Sequence, residues 1–128
     1  MSHRVTVGPG RDLGAAKRGV DHWWQQRITA CVLVLLSVWA LWPVTAMTAL
    51  DRDSLLVWVQ AGINPLWLIA LILVLARHSY LGTRVIVEDY ARRPSLRLAL
   101  VAGLQLVHLT LAGVGLYAIL KIALGLAT

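Results

Sequence analysis

The sequence predicts an all-α membrane protein. Three transmembrane helices are expected at about residues 28–50, 64–89 and 96–121, with a cytoplasmic N-terminus and a short N-terminal interfacial segment. Three observations lead there. Hydrophobic residues make up 59% of the chain, against about 45–50% in a soluble domain, and mean hydropathy is +0.72. Charged residues are 14%, against about 25% in an ordinary soluble protein. Most of the charges that exist flank long apolar runs, with Arg77 the chief exception. At 128 residues the chain is one unit, with residues 1–27 as its cytoplasmic or interfacial lead.

That lead is polar and mixed, with no apolar core and no small-residue cleavage site. The first span is therefore expected to serve as its own insertion signal. From Ile28 the chain runs without a charge to Leu50, and about 20 apolar residues suffice to cross the hydrocarbon core. Pro43 either kinks this span or opens its final turn. Cys31, the one cysteine, excludes an internal disulfide and reads as a small buried hydrophobe.

Asp51-Arg52-Asp53 starts the connection to span two. Residues 55–60 suit a short interfacial helix with Trp58 at headgroup level. Asn64-Pro65 then announces span two, with Asn as the N-cap and Pro in the first turn. This span carries Arg77, His78 and Arg84 and ends in Glu88-Asp89-Tyr90. Span three is interrupted only by Arg97, Gln105 and His108.

The basic residues set the orientation. Arg4, Arg11, Lys17, Arg18 and Arg27 precede or open span one, and Arg84, Arg92, Arg93 and Arg97 surround the second turnaround. The opposite side has Arg52 and Lys121. Positive charge stays inside, so the N-terminus and the Asp89-Tyr90 loop are expected on the cytoplasmic side. The net charge of +6 is thus a topology signal and gives no reason to expect nucleic acid. The surroundings expected for such a chain are membrane lipid.

His78 is the costly residue, because an imidazole at membrane depth needs a partner. It precedes Asp89 by eleven positions, roughly 16 Å along a helix. His78, Gly82, Val85 and Asp89 share one helical face. Two readings of His78 stand: a hydrogen bond to a neighbouring helix, or an axial bond to haem iron. Gly82 either leaves room for a flat macrocycle or marks a close helix contact. His108 lies at a similar depth. An internal His78–His108 pair around one haem is disfavoured, because neighbouring helices pack only about 8–10 Å apart. His108 reads as a hydrogen-bonded interior residue.

Arg77, beside His78, requires a carboxylate, from a haem propionate or a partner chain. Arg27 reads equally as a topology charge and as a residue of a haem-propionate or quinone pocket. His22, Trp23 and Trp24 read as interfacial residues.

Two segments carry a family resemblance. His78…Gly82…Val85…Asp89-Tyr90 resembles the second-helix signature of the small hydrophobic membrane anchor subunit of succinate dehydrogenase, respiratory complex II. Gly14-Ala15-Ala16-Lys17-Arg18-Gly19 and then His22-Trp23-Trp24-Gln25-Gln26-Arg27-Ile28-Thr29-Ala30 resemble that subunit's approach to its first span. The larger cytochrome b556 anchor has a related His-x-x-x-Gly stretch followed by Arg-His, where this chain has Asp-Tyr.

The resemblance implies a multi-pass subunit of the bacterial inner (cytoplasmic) membrane, ahead of a mitochondrial one. Its partners would be the cytochrome b556 anchor, an iron–sulfur subunit and a flavoprotein subunit. Electrons from succinate would pass through FAD and iron–sulfur clusters to ubiquinone, linking the tricarboxylic acid cycle to the respiratory chain. Haem b would lie between the two anchors with His78 as this chain's axial ligand. Tyr90 would hydrogen-bond a quinone carbonyl, and Asp89 would orient water or relay protons. The chain itself would hold no catalytic centre.

Two other readings use the same features: a fumarate reductase-type anchor, and a purely structural anchor without haem ligation. A small transporter is disfavoured, because the spans hold no acidic residue in their interiors and the chain shows no repeat.

Overall fold

In the computed structural model, residues 12–47 and 51–126 are described, with side chains from Gly19 onward. Four helices follow in order: α1 (Asp12–Ala46), α2 (Arg52–Gln60), α3 (Asn64–Tyr90) and α4 (Pro94–Ala123). Three of them, over Gly19–Ala46, Asn64–Tyr90 and Pro94–Ala123, are long and apolar enough to cross a membrane. The three expected spans are present. Arg4, Arg11 and residues 48–50, to which the sequence reading also assigned roles, lie outside the described residues.

The N-terminal lead, from Asp12, is not a separate element but the first turns of α1. Nothing between residues 12 and 27 breaks a helix, so the backbone bonds of the span continue backward into it. Pro43 sits inside α1 within its final turn, where little helix remains to be disturbed.

The short helix between spans begins three residues before the expected Leu55. Asp51 caps it, accepting from Ser54 N at 2.7 Å. That bond holds the exposed Asp51 carboxyl below the ordinary carboxylate value. Gly62, at φ +52, makes the turn that follows. Asn64 does not cap α3 as the sequence suggested. Ile63 occupies the cap position, and Asn64 Nδ2 instead donates to Trp58 O at 2.7 Å, closing the end of α2. Pro65 needs no hydrogen-bond partner in the first turn, so one orphan N–H is removed without a side-chain cap. At its far end, α4 closes in a Schellman motif. Gly125, at φ +71, donates to Ile122 O, and Leu126 N donates to Lys121 O, each at 2.9 Å.

Helix α3 is central. It packs on α4 along one side and on α1 along the other, and α2 rests across the outer ends of α3 and α4. Gln60 Nε2 ties α2 to Ile122 O at 2.9 Å. Trp39 meets both Trp58 and Trp67, with ring centroids 5.8 and 6.3 Å apart, so Trp58 is drawn into a ring cluster between α1, α2 and α3. Small residues allow the closest approach of α3 and α4. A Cβ on Gly115 would fall 2.7 Å from Ile72 Cδ1.

The buried apolar residues are few: Leu36, Tyr80, Leu81, Ala112 and Ile119. Most large apolar side chains point outward, as expected where the surroundings are lipid or partner helices. Cys31 belongs with these: it is exposed, not buried as expected. Its apolar neighbours in sequence gave no hint of direction, since both faces of a spanning helix can be apolar.

Candidate functional site

His78 lies near the midpoint of the 27-residue α3, and Ser79 beside it faces the other neighbour. Successive helical residues are turned by 100°, so consecutive positions on a central helix can serve opposite partners. His78 turns to α1, where its Nδ1 is 3.1 Å from Thr29 Oγ1. Ser79 turns to α4, where its Oγ is 3.1 Å from His108 Nε2.

The two histidines differ in what they leave free. His108 Nδ1 lies 2.8 Å from the Leu104 carbonyl, an acceptor only, so Nδ1 carries the proton. Nε2 then accepts from the Ser79 hydroxyl. Both ring nitrogens are used, and the ring packs edge-on against Tyr80, centroids 5.9 Å apart. His108 is thus a satisfied interior residue, as the sequence reading held. His78 has only its Nδ1 engaged, and its Nε2 has no hydrogen-bond partner among the described residues.

Around His78 the facing surface of α1 is polar. Thr29 Oγ1 donates back to Gln25 O at 2.7 Å, the habit of a helical threonine. Gln25 Oε1 accepts from Arg77 Nη2. Among the described residues the acceptor for Arg77 is therefore a neutral amide, and no carboxylate of these residues meets it. Arg77 is otherwise exposed and borders a cavity of about 190 Å³ between α3 and α4, which Gln105 and His108 also line.

Gly82 faces α1. A Cβ there would sit 3.4 Å from Gln26 Nε2, so of the two readings of Gly82 the helix contact is the one seen within this chain. Two buried atoms of α1, His22 Nε2 and Gln26 Oε1, have no hydrogen-bond partner among the described residues. Buried polar atoms without partners are uncommon and call for water or a further group.

Asp89 and Tyr90 are the last two residues of α3, and Tyr90 is 83% exposed. The α1–α3 pairings (Trp39 with Trp67, Thr29 with His78, Gln26 with Gly82) show that the helices run antiparallel. Asp89 and Tyr90 therefore lie at the end where α1 begins. Just before them Arg84 pairs with Glu88 at 2.8 Å, one turn apart. Arg27 is exposed, with its guanidinium 5.1 Å from the Trp23 ring centroid, and it does not meet His78 or Tyr90 in this chain.

The sequence reading missed Thr29, Gln25 and Gln26 as parts of the site. A signal was available: His22, Gln26 and Thr29 follow i, i+4, i+7 spacing and make a polar stripe on one face of α1. Among the described residues no group of three or more His, Cys, Asp or Glu could cage a metal ion. A single imidazole with one nitrogen unengaged fits a haem iron, which His78 Nε2 would hold.

Three helices long and apolar enough to cross a membrane, packed around a central α3 that carries polar contacts to both neighbours, define a multi-pass membrane protein. Comparison with known proteins supports that class. Residues 1–117 match the family of succinate dehydrogenase/fumarate reductase transmembrane subunits. The chain is 33% identical over 103 residues to the succinate dehydrogenase hydrophobic membrane anchor subunit of Rickettsia bellii, covering 80% of this chain and 82% of that one. The corresponding subunit of Rickettsia conorii is 32% identical over 104 residues, with the same coverage. That of Rickettsia felis is 31% identical over 94 residues, covering 72% and 77%. No solved structure matches. The chain belongs to the succinate dehydrogenase membrane anchor family. It is a multi-pass membrane protein with bacterial relatives, and membership implies work in a complex with other subunits.

Proposed function

We propose that this chain anchors a succinate dehydrogenase to the bacterial inner membrane and helps bind haem b and ubiquinone there. The observation that carries the reading is the contrast between His108, whose two nitrogens are spent, and His78, whose Nε2 is free. His78 Nε2 would ligate the haem iron, with the second ligand from the larger cytochrome b556 anchor. Bound haem supplies a one-electron carrier at membrane depth. Arg77 and Arg27, both exposed cations, are candidates for a haem propionate or the quinone pocket. FAD and iron–sulfur clusters belong to the flavoprotein and iron–sulfur subunits, which dock on the side of the α1 start.

Ubiquinone reduction consumes two electrons and two protons. Tyr90 Oη donates a hydrogen bond to one quinone carbonyl oxygen, where negative charge develops as electrons arrive. Asp89 holds the water that delivers a proton to that oxygen. Both groups are exposed at the helix end, where aqueous protons are at hand. A fumarate reductase-type anchor would use the same parts in reverse.

Two variants of the whole complex test this. His78→Ala should abolish or displace the b-type band in a reduced-minus-oxidised spectrum; an unchanged band would leave a purely structural anchor. Tyr90→Phe should slow quinone reduction by about 10²-fold, the usual effect of deleting one such donor. Succinate oxidation by an artificial dye should persist. Equal loss of both activities would place Tyr90 outside the quinone site.

A further inference from the structure

We infer that Thr29 is a positioning residue for His78, one that fixes its tautomer and sets the donor strength of its free nitrogen. The inference rests on the reading of His78 as a haem ligand. Its basis is a count of protons. A threonine hydroxyl has one hydrogen. Thr29 Oγ1 lies 2.7 Å from Gln25 O and 3.1 Å from Gln26 O, carbonyls that can only accept, so its hydrogen is committed to α1's own backbone. The oxygen's lone pairs face His78 Nδ1 at 3.1 Å. With the hydroxyl hydrogen so placed, the proton in that contact comes from the imidazole, which puts it on Nδ1 and leaves the lone pair on Nε2. The opposite tautomer would draw the threonine hydrogen to Nδ1 and take it away from the Gln25 carbonyl.

Gln25 strengthens the arrangement from the same turn. Its carbonyl anchors Thr29, while its side-chain oxygen accepts from Arg77, the residue next to His78. One turn of α1 thus grips two successive residues of α3, so the ring cannot rotate without losing its bond. A ligating histidine whose other N–H is held gains basicity at the metal-facing nitrogen. Such a bond favours ferric over ferrous iron and lowers the reduction potential.

The test compares Thr29→Val, Thr29→Ser and His78→Ala in the assembled complex, with two readouts besides turnover: haem midpoint potential by optical titration, and haem loss to excess apomyoglobin. Thr29→Val keeps the shape and deletes the hydroxyl. It should raise the potential and weaken haem retention by about 10–100-fold, the range for loss of such a supporting bond. Thr29→Ser should restore both. Should the valine variant fail to assemble, Thr29→Ala removes the same hydroxyl and is read in the same way. Potential and retention unchanged in the hydroxyl-free variants, while His78→Ala loses the b-type band, would overturn the role of Thr29 alone. Serine behaving like valine would do the same. A b-type band that survives His78→Ala would overturn both the ligand reading and this inference.

Discussion

Ser79→Ala isolates the other half of the histidine contrast. In the structure the Ser79 hydroxyl donates to His108 Nε2 across the α3–α4 interface, and the methyl that replaces it can donate nothing. His108 Nδ1 keeps its bond to Leu104 O, so one acceptor is orphaned and no charge is stranded. Interhelical hydrogen bonds in membranes average about 0.6 kcal/mol and reach about 1.7 kcal/mol. The expected loss is therefore about 3- to 18-fold in the folded-to-unfolded ratio. A double-mutant cycle with His108→Leu measures it, using denaturation in increasing dodecyl sulfate followed by tryptophan fluorescence. Ser79→Ala alone should be destabilising, and should cost nothing further once His108 is leucine. The b-type spectrum should persist in all three variants, because His108 has no nitrogen to spare for iron. A coupling energy of zero would refute the hydrogen bond, and a lost haem band in His108→Leu would refute the assignment of the two histidines.

Gly115→Val should destabilise α3–α4 packing by about 1–3 kcal/mol, because even the first added carbon falls 2.7 Å from Ile72 Cδ1. Adding Ile72→Ala should recover part of the loss, and the same denaturation assay reads both. The Asp51 cap predicts a pH dependence for α2. Its folded carboxyl is held below 3.8 by the Ser54 N–H, so the cap's contribution is fully present above that value and fades as pH falls through the lower folded value. Trp58 emission should change on acidification in the parent and not in Asp51→Ala; equal changes in both would remove Asp51 as the cause.

Much of the architecture was legible in the sequence, because spanning helices are set by length and composition. The Asn64-Pro65 start and the third span from about residue 96 mark α3 and α4 within a few residues, whereas α1 begins well before Ile28, at Asp12. The site was legible in part. The spacing of His78, Gly82, Asp89 and Tyr90 places a mid-depth histidine and a polar pair at the helix end on one helix, whatever that helix packs against. The partners were not legible. Thr29 is forty-nine positions from His78, and neither local propensity nor the apolar pattern links them.

By itself the sequence determined a three-span chain with most of its basic residues toward one side, a histidine near mid-helix, and a succinate dehydrogenase anchor's pattern of residues. Only the tertiary structure decided which neighbour each polar residue faces. Within a soluble helix the apolar stripe reveals the inward face. A spanning helix can be apolar all round, so its rotation is set by close packing and by scarce polar contacts instead. That rotation turns His78 toward Thr29, Ser79 toward His108, Gly82 toward Gln26 and Cys31 outward. It is also what leaves His78 Nε2, and not His108 Nε2, free to bind.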